Sequence, residues 1–273
     1  MALLLVALLV LAWATRPDAT AGPCVVASGS VGFAELPESS GLAVSRRNPA
    51  LLWSHNDSGS AAVLFAIDTA GTVHGRVNVP VSTLDWEDVS AAPCPSGDCL
   101  YIADIGDNRR VRQSIKIYRV PEPHPGDEAT APPEVFEATY ADGPHNAEAM
   151  FVVGIDLFIV TRDRIGGLYQ ATIGESHELT FHRIGELGLT AVTDAETAPD
   201  AKSVVVRTEH EAVLYRLEDQ KLGAPYFRIP LDGLREPQGE GVALDGNTLY
   251  LSTEGRAWSR AGRLLSLRCE VTE

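Results

Sequence analysis

The chain has 273 residues, 45% of them hydrophobic, which is enough for a sizeable packed core. Acidic side chains number 37 against 22 basic ones, leaving a formal net charge of −15. That balance argues against nucleic acid and anionic membrane surfaces as partners, because both need basic patches. It permits a bound cation.

Residues 2–13, ALLLVALLVLAW, are apolar throughout but too few to span a bilayer comfortably. Ala19-Thr20-Ala21 follows as a small-x-small cleavage motif before Gly22. Residues 1–21 therefore read as a signal peptide and 22–273 as one domain, secreted or periplasmic/extracellular, with no stable membrane insertion after cleavage. The n-region has no Lys or Arg, so a retained anchor is the alternative. All four cysteines lie beyond this segment. Cys94 and Cys99 flank Pro95-Ser96-Gly97-Asp98 and would staple a hairpin, which leaves Cys24 and Cys269 to join the chain ends.

The rest divides into units of four short strands, a to d, at a period near 50 residues, the mark of a radially repeated all-β fold. A spare strand, Val25 to Phe33, precedes the first unit. The first unit has strand a at Ser40–Val44, b at Leu51–Trp53, c at Val63–Ile67 and d from Val73 to Val79. The second runs from Glu87 through Leu100–Ile102 and Ile115–Tyr118 to Glu134–Tyr140, with a Pro-rich connection from Pro121 to Pro133. The third opens at Glu148 and continues with Leu157–Val160, Leu168–Ala171 and Leu179–Ile184. The fourth opens at Glu196, followed by Val204–Arg207, Val213–Arg216 and Tyr226–Ile229. The fifth opens at Glu240, has Leu249–Ser252 and Leu264–Leu267, and then runs out of chain. Pairing of the N-terminal strand with the C-terminal one would complete it. The expectation is a five-bladed β-propeller, or six-bladed if the long second unit hides another strand pair.

Aligning the units on strand a places Ser40, Glu87, Glu148, Glu196 and Glu240 in one register. In a propeller the innermost strands line the central channel. Four carboxylates converging there repel one another unless a cation joins them, and an all-oxygen ring suits Ca²⁺. The b–c loops emerge on the same face and supply ligand-binding candidates: His55, Asn56, Asp107, Asn108, Arg162, Arg207, Glu209 and Glu254. Carboxylates and amides there suit a cation, and arginines suit a phosphate or carboxylate.

The order WED, LYIADIGDN, AEA, VVVRT, GEGVAL resembles an uncharacterised family of secreted bacterial β-propellers over nearly the whole mature chain. More distantly, one Ser and several Glu at blade starts are similar to the calcium-activated nucleotidases (apyrases). That resemblance implies five blades and Ca²⁺ in the channel, held at Ser40, Glu87, Glu148, Glu196 and Glu240. Two functions follow as expectations. One is a calcium-binding module for a small anionic molecule. The other is a calcium-dependent hydrolase of a phosphoester or other ester, with Asp57, Asp104 or His210 activating water and Arg162 and Arg207 offsetting charge.

Overall fold

The computed structural model describes residues 20–21, 23–33, 35–48, 50–57, 59–255 and 261–270. The signal peptide expected at 1–21 lies outside them except for Thr20 and Ala21. No described helix is long and apolar enough to cross a membrane.

Two strands open the chain, β1 (Thr20–Ala21) and β2 (Cys24–Phe33). The first repeat is β3 (Ser39–Val44), β4 (Leu51–Asn56), β5 (Val63–Asp68) and β6 (Val73–Asn78). The second is β7 (Trp86–Cys94), β8 (Gly97–Asp104), β9 (Ile115–Pro121) and β10 (Glu134–Tyr140). The third is β11 (Ala147–Val153), β12 (Asp156–Thr161), β13 (Gly167–Thr172) and β14 (Glu178–Glu186). The fourth is β15 (Val192–Thr197), β16 (Ser203–Thr208), β17 (Glu211–Glu218) and β18 (Lys221–Pro230). A short 3-10 turn, Asp232–Leu234, leads to β19 (Gly239–Asp245), β20 (Thr248–Thr253) and β21 (Gly262–Cys269).

Within each repeat the strands pair antiparallel in chain order. The second and third repeats share one eight-stranded sheet, because β10 and β14 pair parallel along their edges. β2 adds to β21, with Cys24 opposite Cys269, so the chain ends meet in one sheet as the spare strand implied. The Cys24–Cys269 and Cys94–Cys99 disulfides both form. Between β9 and β10 the Pro-rich connection makes one bridge, Asn78 to Ala129, and holds no hidden strand pair.

The first strands of the repeats, β3, β7, β11, β15 and β19, pack each against the next, and β19 returns to β3. β3 and β15 are buried at every position, as strands enclosed on both faces must be. Five apolar clusters fill the wedges between successive repeats. Trp53 and Trp86 sit in one of them. The Trp53 indole N–H donates to Glu122 Oε1 at 2.9 Å, beneath the first and second repeats. The architecture is a β-propeller.

Candidate functional site

Every inner strand carries a bulge at its start. The ladder slips between Ser39 and Leu42, Trp86 and Asp88, Ala147 and Ala149, Val192 and Asp194, and Gly239 and Val242. A bulge leaves a residue out of the ladder and re-aims its side chain. The residues left out include Ser40, Glu87, Glu148, Thr193 and Glu240. The fourth unit is therefore read three residues too late in the sequence: Thr193 occupies the ring position expected for Glu196. Ser40 Oγ and Thr193 Oγ1 act alike, donating to the Glu87 and Glu240 carbonyls at 2.6 and 2.9 Å.

Glu196 lies deeper. It is buried, and its carboxylate accepts from Ser90 Oγ at 2.6 Å and the Ala91 amide at 3.1 Å. It belongs to a second set with Asp88 and Asp194. Asp194 Oδ2 accepts the Leu42 and Val242 amides, from the two strands on its far side. Asp88 accepts the Met150 amide from β11 at 2.6 Å. The Asp88 and Asp194 carboxyls are hydrogen-bond neighbours. Asp194 Oδ1 is buried without a hydrogen-bond partner of its own, and burial together with the neighbouring Asp194 charge favours the protonated form of Asp88. Burial drives all three acids upward, Asp194 to about 7.

The mouth is a cavity of about 230 Å³ lined by Ser40, Glu87, Glu148 and Glu240 from the ring and by Asp57, Asp85, Asn108, Arg162 and Gln238 from the loops. Burial, then the neighbouring carboxylates, pushes Glu87 up. Burial also outweighs Arg162 at Glu148, lifting it to about 8, and raises Glu240. Glu254 rises to about 7 through partial burial and then the Glu240 and Asp57 charges. Among the described residues the lining of this mouth is mostly acidic. Arg162 is the basic group lining it, and it bridges Glu148 and Glu209. Gln238 Nε2 donates to Glu240 Oε1 at 2.8 Å.

One trio stands out among the described residues. Asp57, Asp85 and Glu87 bring one carboxylate oxygen each within 4.8 Å of one another. Gly106 backs them, and a Cβ there would overlap Glu87 Oε1 and Asp85 Oδ2. Asp104 holds the loop that presents Asp85, accepting the Leu84 and Asp85 amides at 3.0 and 3.1 Å while paired with Arg112 at 2.8 Å. It positions the site and is not exposed to it.

Other candidates fall elsewhere. Arg207 is fully buried and braces β16 against the fifth repeat, donating to the Gly241 and Ser252 carbonyls and to Glu236 Oε2 at 2.6 Å. It is not available to a ligand. His55 is also buried, edge-on to Trp86, and desolvation lowers its imidazole to about 4, so it stays neutral. Asn56 caps the Glu38 amide and the Glu35 carbonyl. Asp107 accepts the Arg112 amide at 2.7 Å. His210 pairs with Asp232 outside the acidic cavity and lines a neighbouring one. Asp85 and Gln238 were absent from the sequence expectation. The spacing D-W-E in the Asp85 stretch, which sets two acids on one side of an extended chain, was the available signal for Asp85.

No known family matches the chain, and no curated protein matches it in sequence. Its fold is similar to the PQQ-bound form of aldose sugar dehydrogenase from Streptomyces coelicolor, with 14% identity and a TM-score of 0.54 over 90% of this chain and 98% of that one. It is also similar to the major allergen Mala s 1 of Malassezia sympodialis, with 8% identity and a TM-score of 0.56 over 89% of this chain and 96% of that one.

Proposed function

We propose that the chain is an exported calcium-binding β-propeller whose channel mouth presents the ion, and a small anionic ligand beside it, without turnover. The observation that carries this is the trio Asp57, Asp85 and Glu87, whose carboxylate oxygens converge at a cavity also lined by Glu148 and Glu240. The donors are hard oxygens, which suit Ca²⁺, and Gly106 leaves the cradle that a side chain would fill. Of the ring expected to hold the ion, Glu87 remains in the set. Ser40, Glu148 and Glu240 line the same cavity and would contribute through water or charge, while Glu196 drops out. The nucleotidase resemblance therefore loses one of its five positions.

The repeat pattern supports a count of five blades, each a four-stranded meander, with β19 to β21 completed by β2. Two disulfides support an oxidising compartment, and with the apolar segment at 2–13 they support export of a single domain spanning 22–273. The net charge of −15 weighs against nucleic acid as a partner.

The alternative is a calcium-dependent hydrolase. Of its expected water activators, Asp104 is committed to Arg112 and His210 stands outside the acidic cavity, which leaves Asp57. Arg162 would offset developing charge. The bound ion would polarise a substrate oxygen.

Thermal melts in calcium and in chelator test the reading. Calcium at about 100 times its dissociation constant stabilises by about 2.7 kcal/mol. Glu87→Gln should abolish that gain. No calcium response in the unaltered protein would overturn the proposal. Calcium-dependent turnover of phosphoesters or other esters, lost in Glu87→Gln, would select the hydrolase.

A further inference from the structure

The loop from β8 to β9, which backs the trio through Gly106, holds a largely buried arginine, Arg112. Both prongs of its guanidinium are spent inside the protein. Nη2 donates to Asp104 Oδ1 at 2.8 Å and to the Asp104 carbonyl at 3.0 Å. Nη1 donates to the Gly106 carbonyl at 2.8 Å. Each of those partners leads back to Asp85. The buried Asp104 carboxylate accepts the Asp85 amide at 3.1 Å and the Leu84 amide at 3.0 Å. Gly106 donates its own amide to the Asp85 carbonyl at 3.2 Å, and the Asp85 and Glu87 carboxylates lie against it. One loop therefore grips Asp85 on both its amide and its carbonyl, and Arg112 ties the two grips together.

We infer that Arg112 is a positioning residue for the cation site: it locks Asp85 and the Gly106 turn in one arrangement, so that two of the three carboxylates converge before the ion arrives. The inference rests on the reading of Asp57, Asp85 and Glu87 as cation ligands. It carries a sign that charge alone would reverse. A guanidinium opposes a cation bound nearby, so removing it would tighten binding if Coulomb forces decided the matter. Removing a partner that orients metal ligands loosens binding instead, commonly by about 10–100-fold. Here orientation outweighs charge. The Arg112 charge is met at contact by Asp104, which blunts its effect on an ion. Its hydrogen bonds have no substitute, because a freed loop would have to be ordered again by the ion it receives.

Calorimetric titration of the full chain with calcium tests it. Arg112→Lys keeps the charge but has no planar fork, so it can hold Asp104 or the Gly106 carbonyl and not both. Its calcium affinity should fall about tenfold. Arg112→Gln should lose at least as much, although it deletes a positive charge. Arg109 is exposed in the same loop, and its side chain makes no hydrogen bond or ion pair among the described residues. Arg109→Gln deletes the same charge and should not weaken calcium. Amide exchange in chelator reads the clasp without an ion: the Leu84 and Asp85 amides should exchange faster in Arg112→Lys than in the parent. Parental affinity in Arg112→Lys, tighter binding in Arg112→Gln, an equal loss in Arg109→Gln, or unchanged exchange at Leu84 and Asp85 would each overturn the inference. If Arg112→Gln does not fold, Arg112→Lys and Arg109→Gln decide it. A parent that binds no calcium removes the reading of the trio and the inference with it. A parent that binds calcium no better than Arg112→Lys removes the inference alone.

Discussion

The channel holds two sets of carboxyl groups that differ in how they are made tolerable. The deep set, Asp88, Asp194 and Glu196, spends its oxygens on backbone amides, a serine and the contact between Asp88 and Asp194. It serves as a fastener, in which Asp194 ties β3 and β19 to β15, and Asp88 ties β11 to β7. The mouth set, Asp57, Asp85, Glu87, Glu148 and Glu240, lies around an open cavity lined, among the described residues, by one arginine. In the function proposed above, a cation would offset its charge. Residue type does not separate the two sets; depth below the bulge does.

The largest effect should come from breaking the fastener. Asp194→Ala leaves the Leu42 and Val242 amides without their acceptor and strands Asp88. It should cost about 4 kcal/mol in urea unfolding. Gly41→Ala strikes the same layer through the backbone. Its Cβ would stand 2.5 Å from the Val89 amide nitrogen and 2.6 Å from Asp88 Cα, neither of which can swing away. About 3 kcal/mol is expected. If either variant unfolds like the parent, the deep carboxyls do not fasten the ring.

Most strands were legible because β-branched and aromatic runs between turn residues mark them, as in Val204-Val205-Val206 and Leu157-Phe158-Ile159-Val160. The join of the two ends was legible from the spare strand and from Cys24 and Cys269. The fourth repeat was misread because Glu196 imitates the other blade starts. Pro199, three residues on, was the warning, since an inner strand has no place for it. The correct start, Thr193, lacks a carboxylate and so carried no signal. Arg207 looked like a ligand because its burial depends on Gly239, 32 positions away, where a Cβ would overlap its guanidinium. His55 and Asp104 misled for the same reason: a sequence shows which residues ionise, but not which ones the fold has already partnered.

A smaller effect should appear at the mouth. Gly106→Ala is the counterpart of Gly41→Ala, because its backbone is not left-handed and the nearest atoms to its Cβ belong to the Glu87 and Asp85 carboxylates rather than to backbone. Those ends rotate, so stability in chelator should stay within about 0.5 kcal/mol. The rotated carboxylates would no longer converge, and calcium affinity should fall about tenfold. Equal calcium affinity in Gly106→Ala and the parent would place the ion away from Asp85 and Glu87.

The smallest expected effect is a slope with pH. Glu196 is raised well above the ordinary 4.5 by burial, and its Ser90 and Ala91 partners only partly offset that. The raised value means that the folded protein keeps the Glu196 proton to higher pH than the unfolded chain, which releases it near 4.5. The stability linked to that proton is fully present below about 4.5 and is lost as pH rises from there through the folded value. Glu196→Gln has no proton to lose and keeps an oxygen for Ser90 or Ala91. Measured in chelator, so that the mouth is the same in both proteins, the variant should gain on the parent by up to about 1.4 kcal/mol per pH unit as pH rises from 5 until the folded value is passed. Applied to Glu148, the same substitution would also break its pair with Arg162, so a change there would mix charge with lost contact. Glu196 has no arginine partner among its contacts, and its slope isolates the cost of charging the deep layer. A flat difference across that range would mean that Glu196 is ionised in place, and that the deep set tolerates charge as the mouth does.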